Sequence, residues 1–334
     1  MPVTLKDVAL RAGVSRSAVS RAFTPGASVS AKTRAKVERA ARELGYAPSA
    51  LASALSTGRT KLIGLVSNNF HNPVFLEVFD RFTRGLQERG LRPLLVNLSD
   101  ETDAAQSVRM LRQYSVDAVI VASSTLPPDF ALAYREAGLA VVHSFGRCEQ
   151  HPVVPVVGID NAACGRMAAQ TLAARGYRRV AFLGGPESAT STQDRLAGFR
   201  DGWPGAPPPA RFASAYSFAA GRAEMQRLLR EGPPAEAYFC GDDVLSLGAL
   251  SALRDAGYDV PGDVGVIGLN DMEMAGWAGF DLTTIRQPVG AIIAASIDLA
   301  LMLAEDPAMQ PETRLFPCTL IERATLRPLP AAAP

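Results

Sequence analysis

The chain is short of the residues that build metal and acid–base sites. Its 334 residues include three histidines, His71, His143 and His151, and four cysteines, Cys148, Cys164, Cys240 and Cys318. The cysteines are far apart and form no CxxC pair, which argues against a clustered zinc site and suits a reduced, cytoplasmic compartment. No apolar run approaches the ~20 residues that span a bilayer, so no membrane partner is expected. Met1–Asp7 has neither the apolar stretch nor the cleavage site of a secretory signal. A GxGxxG loop, a Walker loop and a GxSxG elbow are also missing, and no Ser/His/Asp set stands in a recognisable context. The expectation is a protein that is not an enzyme and that uses no cofactor and no metal.

What is present is unevenly distributed. The formal net charge is only +1, but residues 1–60 hold ten Lys/Arg against three acids, leaving 24 against 30 in the remainder. A small basic head on a mildly acidic body points to a head that binds a polyanion. A merely solvated set of arginines is the plain alternative. In the head, Thr4 and Asp7 are spaced as a capping box, and Leu5, Val8 and Ala9 share one helical face. Gly13 ends that helix. Ser15 caps a second, Arg16 to about Phe23, with Ala18, Val19 and Ala22 as its apolar positions. Ser30 caps a third, which runs to about Leu44 and stops at Gly45. Helix, short Gly-containing turn, helix is the helix-turn-helix pattern, though an ordinary three-helix packing motif competes with it.

The wording of the head is more specific than its pattern. Val3-Thr4-Leu5-Lys6-Asp7-Val8-Ala9, Ala12-Gly13-Val14-Ser15, Val19-Ser20-Arg21, Val29-Ser30-Ala31-Lys32-Thr33-Arg34 and Leu44-Gly45-Tyr46-Ala47-Pro48 follow one another without gaps. Together they resemble the lactose-repressor (LacI/GalR) family of bacterial transcription regulators. The resemblance implies that the second helix lies in the major groove of an operator. Arg16 and Ser17 then take the base-reading positions, with Arg21 as a nearby contact. Thr4, Ser15, Ser20, Ser30, Lys32 and Thr33 are expected near phosphates, where capping and phosphate contact can coexist. Pro48–Thr57 is a short Ala/Ser-rich segment, below the ~12–15 residues at which an isolated helix becomes stable. The resemblance makes it a hinge helix, with Leu55 as a minor-groove wedge and Ala52 and Ser56 allowing two such helices to approach. Leu55 as a packed linker residue is the alternative.

From Lys61 onward, short apolar runs alternate with amphipathic stretches. Strands are expected at Leu62–Val66, Pro93–Leu98, Ala118–Ala122, Ala140–Val142, Val153–Ile159, Arg179–Leu183, Ala237–Cys240 and Val264–Leu269. Helices are expected at Val74–Arg89, Asp103–Tyr114, Ala162–Arg175, Arg195–Trp203, Ala219–Arg230, Asp242–Ala256 and Val289–Ala304. Repeated βα units imply parallel sheets covered on both faces. About 270 residues are too many for one such sheet, so the fold class is an all-α head plus an α/β body of two doubly wound lobes. The resemblance continues through Gly158-Ile159-Asp160-Asn161, Arg195-Leu196-Ala197-Gly198-Phe199, Gly241-Asp242-Asp243, Gly268-Leu269-Asn270-Asp271 and Thr283-Thr284-Ile285-Arg286-Gln287-Pro288. It implies a body like the periplasmic sugar-binding proteins, with the chain crossing between lobes near Asp160, near Pro288 and just after Phe316. The expected divisions are a head at 1–47 and a hinge at 48–60. One lobe takes 61–160 with 289–316, the other 161–288 with 317–328, and 329–334 is a tail.

The resemblance also names effector positions. Arg195 and Asp271 are expected to face one cleft, or to close it as a salt bridge. Asp160 and Asp242 match further cleft positions, Asp242 standing where relatives often carry Asn. Tyr216 stacks on a ligand ring or merely packs. Asn72 and Phe75 follow the first strand, Phe75 facing ligand or core, and Ser123 and Ser124 end a strand where they can supply hydroxyls. The function implied is a homodimeric repressor of catabolic or transport genes. It would read a pseudo-palindromic double-stranded operator under control of a sugar or related metabolite. A dual regulator or activator using a corepressor is the variant reading. A periplasmic-type solute-binding protein is the reading from another class, and it leaves the head without a role.

Overall fold

The computed structural model describes residues 3–24, 26–47, 54, 58–68, 70–98 and 104–330. The chain divides into two compact units, Met1–Lys61 and Leu62–Pro334. The first contains α1 (Leu5–Ala12), α2 (Arg16–Phe23) and α3 (Ala31–Leu44). Each helix contributes one fully buried valine, Val8, Val19 and Val37, and the space between them is filled by Ala9, Ala22, Ala40 and Ala41. These small side chains let three short helices share a core that larger residues would force apart.

The ends of the helices are set by single residues. The Asp7 carboxylate accepts from the Thr4 amide at 2.8 Å and the Thr4 hydroxyl at 2.7 Å. The Ser15 Oγ accepts from the Ala18 amide, and the Ser30 Oγ from the Thr33 amide. Gly13 and Gly45 close α1 and α3 at φ 67° and 64°, where a β-carbon is disfavoured. All three helices therefore start and stop where the capping residues place them.

The second unit holds two six-stranded sheets. In chain order its first part is β1 (Leu62–Ser67), α4 (Val74–Glu88), β2 (Arg92–Asn97), α5 (Ala104–Gln113), β3 (Ala118–Ala122), α6 (Pro128–Glu136), β4 (Val141–Ser144) and β5 (Val156–Gly158). Next come α7 (Asn161–Ala174), β6 (Val180–Gly184), α8 (Thr190–Gly202), β7 (Ala210–Phe212), α9 (Phe218–Glu231), β8 (Ala237–Cys240), α10 (Asp243–Asp255), β9 (Gly265–Asn270) and β10 (Thr284–Arg286). The last elements are α11 (Val289–Glu305), β11 (Thr313–Leu315) and β12 (Thr319–Ile321). The first sheet has the order β11-β5-β4-β3-β1-β2 and the second β12-β10-β9-β8-β6-β7. All pairings are parallel except β12 against β10. Central strands such as β3, Ala-Val-Ile-Val-Ala, are buried throughout, as a sheet covered on both faces requires.

The chain passes between the sheets three times: between β5 and α7, between β10 and α11, and between β11 and β12. The three-residue strands β7, β10, β11 and β12 escaped the sequence reading because so short a run shows no alternation. So did α6, which opens on Pro127-Pro128. Helix α8 begins at Thr190, not Arg195, so Arg195 lies more than a turn inside it.

Two helix pairs of the second lobe are pressed together through glycine. A β-carbon at Gly165 of α7 would lie 2.2 Å from the Arg195 carbonyl oxygen, and one at Gly198 of α8 would lie 1.9 Å from the Ala162 carbonyl oxygen. Gly221 and Gly248 play the same reciprocal part between α9 and α10. These are backbone neighbours that cannot rotate away. Gly198→Ala is therefore expected to destabilise the body by about 1–3 kcal/mol or more, the range for overpacking. Urea unfolding should show a lower midpoint with an unchanged slope, while Gly232→Ala, where a β-carbon meets nothing, should stay close to wild type.

Candidate functional site

On the head, α2 turns Val19 and Ala22 inward and leaves Arg16, Ser17, Ser20 and Arg21 exposed. Thr4, Ser15, Ser30 and Lys32 are also exposed, and Thr33 is half-buried. Ser15 and Ser30 both cap helices and also meet a neighbouring hydroxyl, Ser17 at 2.9 Å and Thr33 at 2.8 Å. No acid stands in the first turn of α2 or α3, so both helix N-termini keep their positive character. Ala52, Leu55 and Ser56 lie outside the described residues.

In the body, four of the eight expected effector residues come together where the C-terminal ends of both sheets face each other. Asn72, Phe75, Arg195 and Asp242 are all buried there. Phe75, Arg195 and Asp242 line a narrow crevice together with Ser124, Phe145, Asn270, Gln287 and Val289, with a free volume of only about 20 Å³, room for one water. Asp242 is its centre. One carboxylate oxygen accepts from the Val244 amide at 2.9 Å, capping α10. The other accepts from Asn72 Nδ2 and from Asn270 Nδ2, each at 2.9 Å. Burial pushes the Asp242 carboxyl up, and those three donors together with the nearby Arg195 guanidinium oppose it. Arg195 donates to Asn161 Oδ1 at 2.8 Å and to the Gly241 carbonyl.

The hydrogen bonds run outward from this carboxylate in one sense. Asp242 takes the Asn270 NH₂, so Asn270 Oδ1 is left to accept, and it accepts from Gln287 Nε2. Gln287 Oε1 is then buried with no protein partner. A buried acceptor without a donor costs about 1–3 kcal/mol. Asn270 and Gln287 were missed as site residues, although both stood inside quoted stretches of the sequence.

The other four expected residues are elsewhere. Asp271 faces away from Arg195: its carboxylate accepts from Arg286 Nε and Arg323 Nη2, both at 2.6 Å. Asn270 ends β9 at φ 128° and Asp271 follows at φ 57°, a left-handed turn that gives Asn270 to the cleft and Asp271 to Arg286 and Arg323. Tyr216 packs its ring over Gly185 and shares its hydroxyl with Ser191 and Thr192. Asp160 caps α7 through the Ala163 amide and pairs with Arg166. Ser123 is fully buried and donates to Asn68 Oδ1, so its hydroxyl is not free.

Bonds across the two lobes hold the crevice narrow. Besides Asn72 to Asp242, the Ser124 carbonyl accepts from Thr190 Oγ1 and the Ser191 amide, and Arg147 pairs with Asp194. Among the described residues no group of three or more His, Cys, Asp or Glu could hold a metal ion. None of the described helices is long and apolar enough to cross a membrane.

Comparison with known proteins fits both halves of this geometry. Residues 4–49 match the family of bacterial regulatory proteins, lacI family, and residues 169–326 match the periplasmic binding protein-like domain. The ribose operon repressor of Escherichia coli (strain K12) is 31% identical, covering 96% of this chain and 99% of its own length. The chain belongs to the lacI family. The solved lac repressor dimer, bound to operator and the anti-inducer ONPF, superposes with a TM-score of 0.87 at 27% identity, over 97% of this chain and 99% of that one. The transcriptional regulator CelR in complex with cellobiose gives a TM-score of 0.72 at 29% identity, again over 97% and 99%.

In this lacI-family body a second carboxylate sits directly behind the cleft. Asp243 is fully buried; it accepts from Thr284 Oγ1 and from the Met272 amide at 2.9 Å. Gly268 leaves room for it, since a β-carbon there would lie 2.2 Å from Asp243 Oδ1. Burial first, then the neighbouring Asp242, pushes its carboxyl up to about 7, against the Thr284 hydrogen bond. A carboxyl raised on folding holds its proton longer in the native state. Its contribution to stability is therefore full below pH ~4 and is lost as pH rises to about 7. His143, buried and lowered to about 4, has the opposite slope as pH rises through the same interval. Comparison with Asp243→Asn isolates the carboxyl: wild type minus variant stability, from urea unfolding, is expected to fall between pH 4 and 7 and then level off. A difference independent of pH would contradict this.

Proposed function

We propose that the chain is a homodimeric transcription repressor whose operator affinity is set by a small hydroxyl-bearing ligand, a sugar or sugar derivative, held between the two lobes. The observation that carries the ligand half is the buried Gln287 Oε1 at the end of the Asp242–Asn270–Gln287 chain, an acceptor that calls for a donor. A hydroxyl supplies one, and Arg195 beside it suits the same hydroxyl's oxygen. Phe75 and Phe145 offer apolar ring faces in the same crevice. The cellobiose in the CelR complex and the name of the ribose operon repressor support a sugar class.

The DNA half rests on the exposed face of α2 and on the excess of ten Lys/Arg over three acids in residues 1–60. An operator-bound dimer in the lac repressor structure supports two heads on a pseudo-palindrome. Arg16 reads guanine through O6 and N7, and Arg21 contacts DNA nearby; Lys32, Thr4, Ser15, Ser20, Ser30 and Thr33 fix register on phosphates. Ser17 joins Arg16 as a base reader, and Leu55 with Ala52 and Ser56 forms the minor-groove hinge.

Selection from a random duplex library gives the operator and tests this directly. Arg16→Ala is expected to relax preference at one symmetric base pair per half-site, by roughly 1–3 kcal/mol each. Lys32→Ala should weaken all sequences alike. Log affinity should fall steeply with log salt, because each neutralised phosphate releases counterions. Binding that hardly changes between low and physiological salt would overturn the reading of the head.

A thermal-shift screen of sugars, sugar acids and polyols identifies the ligand, since binding the native state raises apparent stability. With that ligand, Gln287→Leu and Arg195→Ala are expected to cost tenfold or more in affinity by calorimetry. Asp271→Ala should keep ligand affinity and lose stability instead, because it leaves Arg286 and Arg323 without their carboxylate. Loss of ligand binding in Asp271→Ala alone would reverse the assignment of the cleft face.

A further inference from the structure

The first lobe holds a second cavity, at the opposite end of its sheet from the crevice. It lies at the amino ends of β3, β4 and β5, where Asp117, Val141 and Pro155 meet the last turn of α11. Its free volume is about 430 Å³, against about 20 Å³ in the crevice, and falls within the range of small-molecule sites. Leu139, Pro155, Leu303 and Met309 give it an apolar wall, and two side chains of opposite charge complete it, Arg135 and Asp117. Arg135 stands in the last turn of α6 and donates from Nη1 to the Val153 carbonyl; among the described residues its Nε and Nη2 have no partner. Those two nitrogens form the edge of a guanidinium that grips a carboxylate through parallel hydrogen bonds. Asp117 is half-buried just before β3, and its amide donates to the Leu62 carbonyl at 2.8 Å. Helix α11 ends at the same cavity with no basic residue in its last turn, so its negative end is not met by a cation of its own.

We propose that this cavity binds an apolar α-amino acid. Its carboxylate takes the Nε–Nη2 edge of Arg135, its ammonium turns to Asp117 and the carbonyl end of α11, and its side chain packs against the apolar wall. The lining selects this class over its neighbours. A plain carboxylic acid answers Arg135 but brings a second negative charge to Asp117, and an amine does the reverse. A sugar sets hydroxyls against apolar side chains that cannot bond them. A zwitterion with an apolar body matches both charges and the wall at once. The site is separate from the one between the lobes, since no residue lines both. Its occupancy is felt at the start of β1. Leu62, whose carbonyl accepts from the Asp117 amide, is the first residue of that strand and follows directly on residues 58–61, by which the chain arrives from the head. The body thus takes a second small-molecule input at the base of its first lobe.

The test uses the full-length protein with L-phenylalanine and L-leucine as probes, and with 3-phenylpropionate and phenethylamine, which keep the ring and lack one charge each. Calorimetry should show an amino acid binding in the millimolar range or tighter, and the singly charged compounds weaker by about tenfold or more. Arg135→Gln and Asp117→Asn should each weaken the amino acid by about tenfold or more, while Gln287→Leu, in the crevice, should leave its affinity unchanged. Leu139→Trp, which fills the cavity, should abolish binding, with the urea midpoint showing that the variant folds. Amide hydrogen exchange at residues 62–67 and 117–122 should slow when wild type is saturated. No heat with either amino acid, or 3-phenylpropionate binding as tightly as L-phenylalanine, would overturn the proposal. Binding that survives Arg135→Gln and is lost in Gln287→Leu would also overturn it, by placing the ligand between the lobes. Unchanged exchange at residues 62–67 in the saturated protein would overturn the link to β1.

Discussion

The body turns on one buried carboxylate. Asp242 is removed from water between two lobes, and it is stable there because it is given donors: the Val244 amide from its own helix, Asn270 from the adjoining strand and Asn72 from the opposite lobe. An isolated buried charge would shed its charge or draw in water. The Asn72 bond is therefore more than a contact between surfaces. Opening the lobes strips Asp242 of one of three donors, and some other group has to replace it. This requirement links the width of the crevice to what occupies it.

The rest of the second lobe serves to hold that carboxylate's neighbours in register. Arg195 is deep in α8, and α8 cannot drift because its glycine and that of α7 put backbone against backbone. Asp243 braces the floor from behind by accepting from β10 through Thr284 and from the Met272 amide after β9. Asp271, on the far side of the same strand end, draws Arg286 and Arg323 together and ties β10 to the segment after β12. Three adjacent acids on two loops thus do three different jobs, sorted by which way each backbone position points.

That sorting marks the limit of what the sequence could show. Helix ends in the head were legible because one residue decides each: Ser15, Ser30, Gly13 and Gly45 act locally, and the structure puts the boundaries where they are. The long strands were legible from their apolar runs. Asn270 against Asp271 was not, because their directions depend on the positive-φ turn of both residues after β9 and on Arg323, which is distant in sequence. The same holds for Tyr216, whose hydroxyl is taken by Ser191 and Thr192. Asn72 and Asp242 sit at the cleft because they come from βα loops, whose place at the carboxyl ends of parallel strands follows from topology alone, and Phe75 from the first turn of the helix that follows such a loop; Arg195 reaches the cleft from more than a turn inside α8.

The direction of control then follows from donor arithmetic at Asp242. A ligand shifts the body between open and closed forms only by the difference in its affinity for the two. A ligand that donates to Gln287 Oε1 and leaves Asn72 on Asp242 satisfies the second lobe without breaking its tie to the first, and so is compatible with the closed form. A ligand whose hydroxyl takes the place of Asn72 on Asp242 removes one polar tie between the lobes and satisfies the carboxylate without it, so it favours the open form. One side chain amide separates the two outcomes. A change of about 1.4 kcal/mol in that exchange moves the equilibrium tenfold, which is within the range of one hydrogen bond to a charged group.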